Sequence, residues 1–350
     1  MLEKEYLREQ RKKMAWIWGL ILVTAVLAYI CTTIGMKAAA PGQTIIALQK
    51  AWNGTIDQGA DAAVNKIILL LRMPRVVLAI LAGIGLSLAG AVMQSVTRNY
   101  LVSPFTLGIS SAAAFGASVC IVFGSGAFFQ SDIGIVASAF VFSCGCGCIV
   151  YGVSKQVGIK PGAIVLVGIA LNYLFSAMTA AIEFFAKEYK LEAVVQWSFG
   201  SLNKATWEIN GLAAIVVLSC FVVLMRYCLA LNAMASNEDE MVKSLGIYPE
   251  RLRTISGLLA VLMTSAIISF TGVIGFVGLI APHMARFIIG YDHRYYLPFA
   301  SVLGALLLLV SDTAGRFILY PVHIPVGIIV SFLGVPLFIH LILSRGKRFQ

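Results

Sequence analysis

The sequence predicts an all-α membrane protein of about ten spanning helices. Three observations predict it. Of 350 residues, 59% are apolar and 12% charged, with a mean hydropathy of +0.90; a soluble domain carries about 25% charged residues. Nine stretches contain no Asp, Glu, Lys or Arg: 14–36, 76–97, 99–131, 133–154, 161–182, 209–225, 254–285, 295–311 and 317–344. A spanning helix needs about 20 apolar residues. No polar segment between these stretches is long enough to fold as a separate soluble domain, so residues 1–350 are expected to form one transmembrane unit.

The first helix is expected near 16–35. Basic residues precede it and Ala38-Ala39-Ala40 follows it, which resembles a cleavable leader. A leader's apolar core runs about 7–15 residues, and the run 14–36 is longer, so the segment is expected to stay as a membrane helix. Further helices are expected near 68–93, 107–126, 133–152, 162–183 and 209–229. The run Ser143-Cys144-Gly145-Cys146-Gly147-Cys148 lies in the fourth. Cys144 and Cys148 share a helix face, but no His or carboxylate is near in sequence, as a metal site would need. A small-residue surface for close packing is the better reading. The seven cysteines imply no disulfide framework, and His283, His293, His323 and His340 match no zinc spacing.

The stretch 254–285 holds one helix and most of a second, near 254–272 and 277–290. Between them lies TGVIGFVGLIAPHMAR (271–286), where Gly272, Gly275, Gly278 and Pro282 interrupt an apolar run. In hydrocarbon each unpaired backbone N–H or C=O costs several kcal/mol, so a broken helix survives only where protein or a water-filled path covers it. The break therefore points to a pathway through a bundle. The last helices are expected near 296–316 and 325–343.

The formal charge is +10. With the N-terminus placed in the cytoplasm, 17 of the 26 Lys and Arg fall on cytoplasmic segments and nine on external ones. This bias places both termini inside. The basic residues are spread along loops without a recognition motif, so nucleic acid is not an expected partner.

Several chemistries are missing. Gly346-Lys347 is followed by Arg348, so no Walker A loop exists and ATP is not bound that way. Glu183, Asp132 and Asp312 lie at external helix ends, leaving helix centres without the carboxylate a proton- or sodium-coupled carrier keeps. Filter-like polar rings of a channel are absent, as is a polar catalytic cluster at one depth. No cofactor is expected. Uphill transport would draw its energy from another subunit.

The longest cytoplasmic loop is 231–253. Asn237 can cap a short helix with Glu238, Asp239 and Glu240 in its first turn. Met241, Val242 and Leu245 give it an apolar face, Gly246 ends it, and Pro249 starts a second short helix. This segment is either a mechanical handle for a partner or an amphipathic loop lying on headgroups.

Seven blocks carry a resemblance: 71–117, VLVGIALNYLFSAMT (165–179), QWSFGSL (196–202), KSLGI (243–247), 271–298, LLLLVSDTAGR (306–316) and IPVGIIVSFLGVPLFIHLIL (324–343). The chain resembles the FecCD-type permeases of type II ABC importers for iron-siderophores, haem and cobalamin. The resemblance implies ten helices per subunit and a bacterial cytoplasmic-membrane location. It implies a second permease, identical or not, two ATPase subunits below and a substrate-binding protein above. Transport is by alternating access, most simply of a ferric siderophore, with haem or cobalamin as alternatives. It implies coupling to the ATPase through Glu238, Met241, Leu245, Gly246 and Ile247, and a pathway lined by Asn172, Met178, Trp197 and Ser201. Arg72, Arg75 and Arg316 would accept carboxylates of the binding protein; headgroup anchoring is the other reading. One departure stands out: the family's Glu before the Leu/Ile-Pro-Val-Gly block is His323 here, at the external entrance. A His keeps hydrogen bonding without a fixed negative charge.

Overall fold

The computed structural model describes residues 2–33, 42–56, 61–126, 128–129, 131–319 and 322–346. Among them there is no strand. The helices are α1 (Leu2–Thr33), α2 (Gln43–Trp52), α3 (Ala62–Ile67), α4 (Met73–Thr97), α5 (Ile109–Phe123), α6 (Asp132–Gln156), α7 (Pro161–Phe185), α8 (Glu188–Ser198), α9 (Trp207–Arg226), α10 (Cys228–Ser236), α11 (Asp239–Ser244), α12 (Pro249–Thr271), α13 (Val277–Ile289), α14 (His293–Phe317) and α15 (Val326–Gly346). Seven helical segments are long and apolar enough to cross a membrane, and α5, α13 and α15 are shorter apolar helices. These ten coincide with the ten expected from sequence. Ala38–Ala40, Lys37, Lys347 and Arg348 lie outside the described residues.

Helix α4 is the axis. It is the most buried of the spans, with α14, α12, α13 and α9 packed around it. The reason is its run of small residues, Ala82, Gly83, Gly85, Ala89, Gly90 and Ala91, all buried. Without a hydrophobic drive between helices in lipid, close backbone approach supplies the contact. A methyl added at Gly83 would strike the Gly304 carbonyl of α14, and one at Gly90 the Gly278 carbonyl of α13. The cysteine-rich face of α6 packs the same way: a methyl at Gly147 would strike Val261 of α12.

The ends sort into two faces. On one, Tyr6 of α1 accepts from Arg294 at 3.4 Å, and Asn232 of α10 donates to Asp292 at 3.0 Å. On the other, Arg72 reaches the last carbonyls of α1, and Arg75 meets Asp312 of α14.

Four local details differ from the sequence expectation. Asn237 does not cap α11: its side chain donates to the Ala233 carbonyl and closes α10, and Glu238 takes the cap position. Pro249 opens no separate short helix, because α12 runs unbroken from it to Thr271; Pro at the first helical position is favourable and need not mark a stop. The helical path into α4 begins at Ala62, with a π-helical turn at Ile68–Arg72. The segment between the first two spans also carries α2 and α3, too short to show a clear periodicity.

Gly90→Ala is expected to destabilise the purified protein by about 1–3 kcal/mol, since it overpacks a backbone contact. Gly145→Ala on α6 has open space around the new methyl and gains helix propensity, so it should be neutral or stabilising. Thermal unfolding of the two variants in one detergent checks the contrast.

Candidate functional site

The break between α12 and α13 is real and covered. Gly272 has φ 72° and Phe276 has φ 62°. The first suits glycine; the second is costly for an aromatic residue, about 1–3 kcal/mol. Two other irregular segments lie against this one. The Ser201 amide donates to the Thr271 carbonyl at 2.6 Å. Gly200 is seated on the Val273 carbonyl, and Gly327, at the start of α15, on the Phe199 carbonyl. Three chain breaks, at 199–201, 272–276 and 323–327, thus cross on one another's backbones, and each crossing needs a glycine.

Beside this crossing is a cavity of about 840 Å³. Its wall is mainly apolar and includes Phe199, Phe276, Leu279, Phe332 and Val335, with Ser103, Thr106, Ser198 and Ser331 among the lining residues. Among the described residues, none that lines it is charged. The strained Phe276 directs its ring to this wall. A second cavity, about 550 Å³, contains Trp197, Ser201, Lys190 and Lys204. Lys190 donates to the Val122 carbonyl at 2.6 Å and Lys204 pairs with Asp132 at 2.5 Å.

The sequence-derived pathway residues are therefore not together. Trp197 and Ser201 line the second cavity. Asn172 accepts from Ser111 of α5, where the α7 backbone crosses Gly108, and Met178 packs on the interior cluster. Neither Asn172 nor Met178 lines these two cavities. His323 is exposed, just before α15. Phe199, Phe276 and Phe332 escaped the sequence reading because apolar aromatics in an apolar chain carry no signal of which face they take.

Arg72, Arg75 and Arg316 do converge. Asp312, whose side chain is 1% exposed, takes a bidentate contact from Arg75 (2.8–3.0 Å) and lies 3.3 Å from Arg316. Arg72 is buried and donates to the Thr32 and Thr33 carbonyls at 3.1 Å, capping α1. One carboxylate thus serves two guanidinium groups, Arg75 and Arg316, while Arg72 caps α1 beside them, so this cluster carries more positive than negative charge.

On the opposite face, α11 stands on a charged clamp. Asp239 is gripped by Arg253 of α12 at 2.6 and 2.7 Å and by Arg98, at the end of α4, at 2.8 Å. Arg253 is fully buried and also donates to the Val96 carbonyl at 3.0 Å. The Arg253 hydrogen bond, helped by Arg98 and opposed by burial, holds the Asp239 carboxyl below its ordinary range. The sequence showed these charges but not that they meet. Val242 is buried under α11, whereas Met241, Leu245 and Tyr248 are 59%, 61% and 71% exposed. Gly246 at φ 77° closes the helix: its amide donates to Lys243 and the Ile247 amide to Val242, a Schellman ending. Ile247 is partly buried against the core, and Glu238 is exposed. The outcome is a braced knuckle with an apolar tip.

A bundle of ten apolar helices, an unwound crossing beside an uncharged cavity, and a braced knuckle on one face define a membrane permease rather than an enzyme. The chain matches the FecCD transport family over residues 19–344 and belongs to it. It is 33% identical to the Fe(3+)-citrate import system permease of Bacillus subtilis, over 99% of each chain. It is 30% identical to the molybdate import system permease of Haemophilus influenzae, over 94% of this chain and 96% of that one. Among solved structures, an ABC transporter assigned to the metal-chelate type, in an inward-facing conformation, superposes with a TM-score of 0.82. The identity is 29%, covering 94% of this chain and 98% of that chain.

Asp239→Asn should lower thermal stability, because it leaves the buried Arg253 guanidinium without countercharge; breaking such a pair costs about 3–5 kcal/mol when both groups are buried, and less here, where Asp239 is one-third exposed. The folded-state pKa of Asp239 is depressed, so its contribution is present above the unfolded value of about 3.9 and is lost as pH falls through the folded value. The difference in unfolding midpoint between wild type and variant should be constant from pH 7 to about pH 4 and narrow progressively below that.

Proposed function

We propose that this chain is the membrane-spanning subunit of an ATP-driven importer of a metal chelate, most specifically a ferric siderophore. Two copies, or one copy and a homologous partner, would enclose the pathway. Two ATPase subunits would seat on the knuckle face, which is then cytoplasmic, along with both termini. A substrate-binding protein would dock on the arginine face, which is then external.

The observation that carries this reading is the uncharged wall beside the triple crossing. A carrier of a bare ion needs fixed ligands or charges along its path, whereas a bulky chelate with its metal already ligated can slide on apolar surface and a few hydroxyls. Alternating access then needs a cytoplasmic lever. Met241, Leu245 and Tyr248 supply an apolar knob for an ATPase groove, and the Arg98–Asp239–Arg253 clamp passes its displacement to α4 and α12. Glu238, Gly246 and Ile247 shape the same knuckle. Asn172, Met178, Trp197, Ser201 and His323 remain assigned to the pathway and its outer rim, with Trp197 and Ser201 in the outer cavity.

The arginine face fits carboxylates. Arg75 is the member best placed to be shared, since its side chain is 17% exposed and its planar fork pairs bidentately. Arg72→Glu would set a carboxylate against two helix-end carbonyls, so loss of docking there would reflect misfolding. Arg75→Gln is the cleaner test, because Arg316 still neutralises Asp312. It should slow binding-protein association and flatten its salt dependence; because buried Asp312 loses its bidentate partner, thermal stability should also fall, so association is compared at a temperature where both proteins are fully folded. Unaltered association kinetics from low to moderate salt would leave these arginines only a structural role.

The whole importer, reconstituted with its ATPase and binding protein, should take up iron-loaded siderophore only with ATP. Phe332→Glu, which places a charge on the apolar wall, should reduce uptake about ten-fold or more without preventing assembly, because Phe332 is exposed on that wall and the new carboxylate has to be desolvated as a bulky chelate passes. ATP-driven uptake of molybdate, and of no ferric chelate, would overturn the substrate assignment while leaving the permease role intact.

A further inference from the structure

The knuckle face also holds a polar cavity that shares Arg98 with the clamp and is otherwise separate from the pathway and the knuckle. It measures about 330 Å³ and lies between the end of α4, α10, α13 and the start of α14. Gln94, Arg98, Tyr100, Arg286, His293 and Tyr296 are among its lining residues. Among the described residues, no carboxylate lines it.

Most of these polar groups are committed. Arg98 donates to the Met234 carbonyl and to Asp239. The two ring nitrogens of His293 lie 2.6 Å from Ser95 and Asn232. Arg286 is the exception. It is 5% exposed, and its Nη2 donates to Gln94 at 3.1 Å and to the Tyr296 hydroxyl at 2.9 Å, while its Nη1 has no hydrogen-bond partner. Among the described residues no carboxylate pairs with it: Asp239 is taken by Arg98 and Arg253, and Asp292 by Arg294.

A buried guanidinium without a countercharge is strongly disfavoured. The Tyr100 ring, 4.0 Å from the guanidinium carbon, with Tyr296 at 5.2 Å and Tyr291 at 5.7 Å, offsets part of this through cation–π attraction. Aromatic faces cannot accept the in-plane hydrogen bond that Nη1 offers. A neighbouring Arg98 raises the local positive potential further.

We propose that this cavity is an anion site, in which Arg286 Nη1 donates to a phosphate-type oxyanion, the tyrosine hydroxyls bound its sides and Arg98 attracts it at the rim. Guanidinium matches tetrahedral oxyanions through its fixed donor fork. The phosphate can be a soluble ion or the headgroup of an anionic lipid, and the two are separable by experiment. Occupancy would tie α4, α13 and α14 together next to the root of the knuckle.

The test uses the full-length chain, purified and delipidated in an uncharged detergent. Inorganic phosphate is titrated against chloride at constant ionic strength, and phosphatidylglycerol against phosphatidylcholine. Thermal unfolding and native mass spectrometry report binding. The expected result is a midpoint rise of about 2 °C or more with one bound anion per chain. Ala235→Asp places a carboxylate in the same cavity. It should raise the anion-free midpoint and abolish the response; Arg286→Gln should abolish the response without that rise. If Arg286→Gln does not fold, Ala235→Asp alone decides. A response to phosphate assigns a soluble anion, and a response to phosphatidylglycerol only assigns a headgroup; both support the site. A response that survives in Ala235→Asp, or no response to either ligand in wild type, overturns it.

Discussion

Backbone satisfaction in hydrocarbon governs this architecture. A helix may be interrupted at membrane depth only if its freed amides and carbonyls are covered, and here the interruption at 272–276 is covered by two other interruptions. That solution forces short distances between main chains, which in turn forces Gly200, Gly272 and Gly327. The same requirement propagates inward. Gly278 rests on the Leu86 carbonyl and Gly90 on Gly278, so the position of the break is registered against the central helix α4. The cavity wall is the by-product: aromatic side chains that cannot enter the crowded crossing are turned to its side.

Two buried or half-buried carboxylates near helix ends fix helices to one another. Asp312 ties α14 to the start of α4, and Asp239 ties α11 to the end of α4 and the start of α12. Each carboxylate serves two arginines. Pairs at helix ends avoid the desolvation cost that a charge at mid-membrane would meet, yet they are dry enough to hold geometry. The side chains around Arg286 follow the same economy with aromatic faces in place of a carboxylate.

The spans were legible because the chain holds nine long charge-free stretches, one of them, 254–285, long enough for one helix and most of a second, and the break was legible because glycine and proline in such a run have few other uses. The convergence of Arg72, Arg75 and Arg316 followed from topology: all three were expected at helix ends on one face. Other features were not legible for physical reasons. Long-range pairing such as Arg253 with Asp239 depends on how α11 folds back on α12, which local pattern does not state. The orientation of Asn172 and Met178 depends on which side of α7 faces α5, and an almost uniformly apolar helix carries little moment to decide it. Helices α2 and α3 are too short, and too mixed in composition, to be distinguished from loop.

The clamps at the two ends of α4 have a geometric result. At 1.5 Å per residue, its 25 residues span about 37 Å. Arg75 sits near one end and Arg98 just beyond the other, and the glycine contacts with α13 and α14 fall between them. Such a rod is held near its middle and gripped at its tips. If it tilts as one body by about ten degrees, its tips separate from their starting lines by about 3 Å each in opposite directions, which is the scale of one hydrogen bond. A push on the knuckle side is then felt on the far side of the bilayer as the making or breaking of a single arginine contact, with no signal having to pass through the side chains in between.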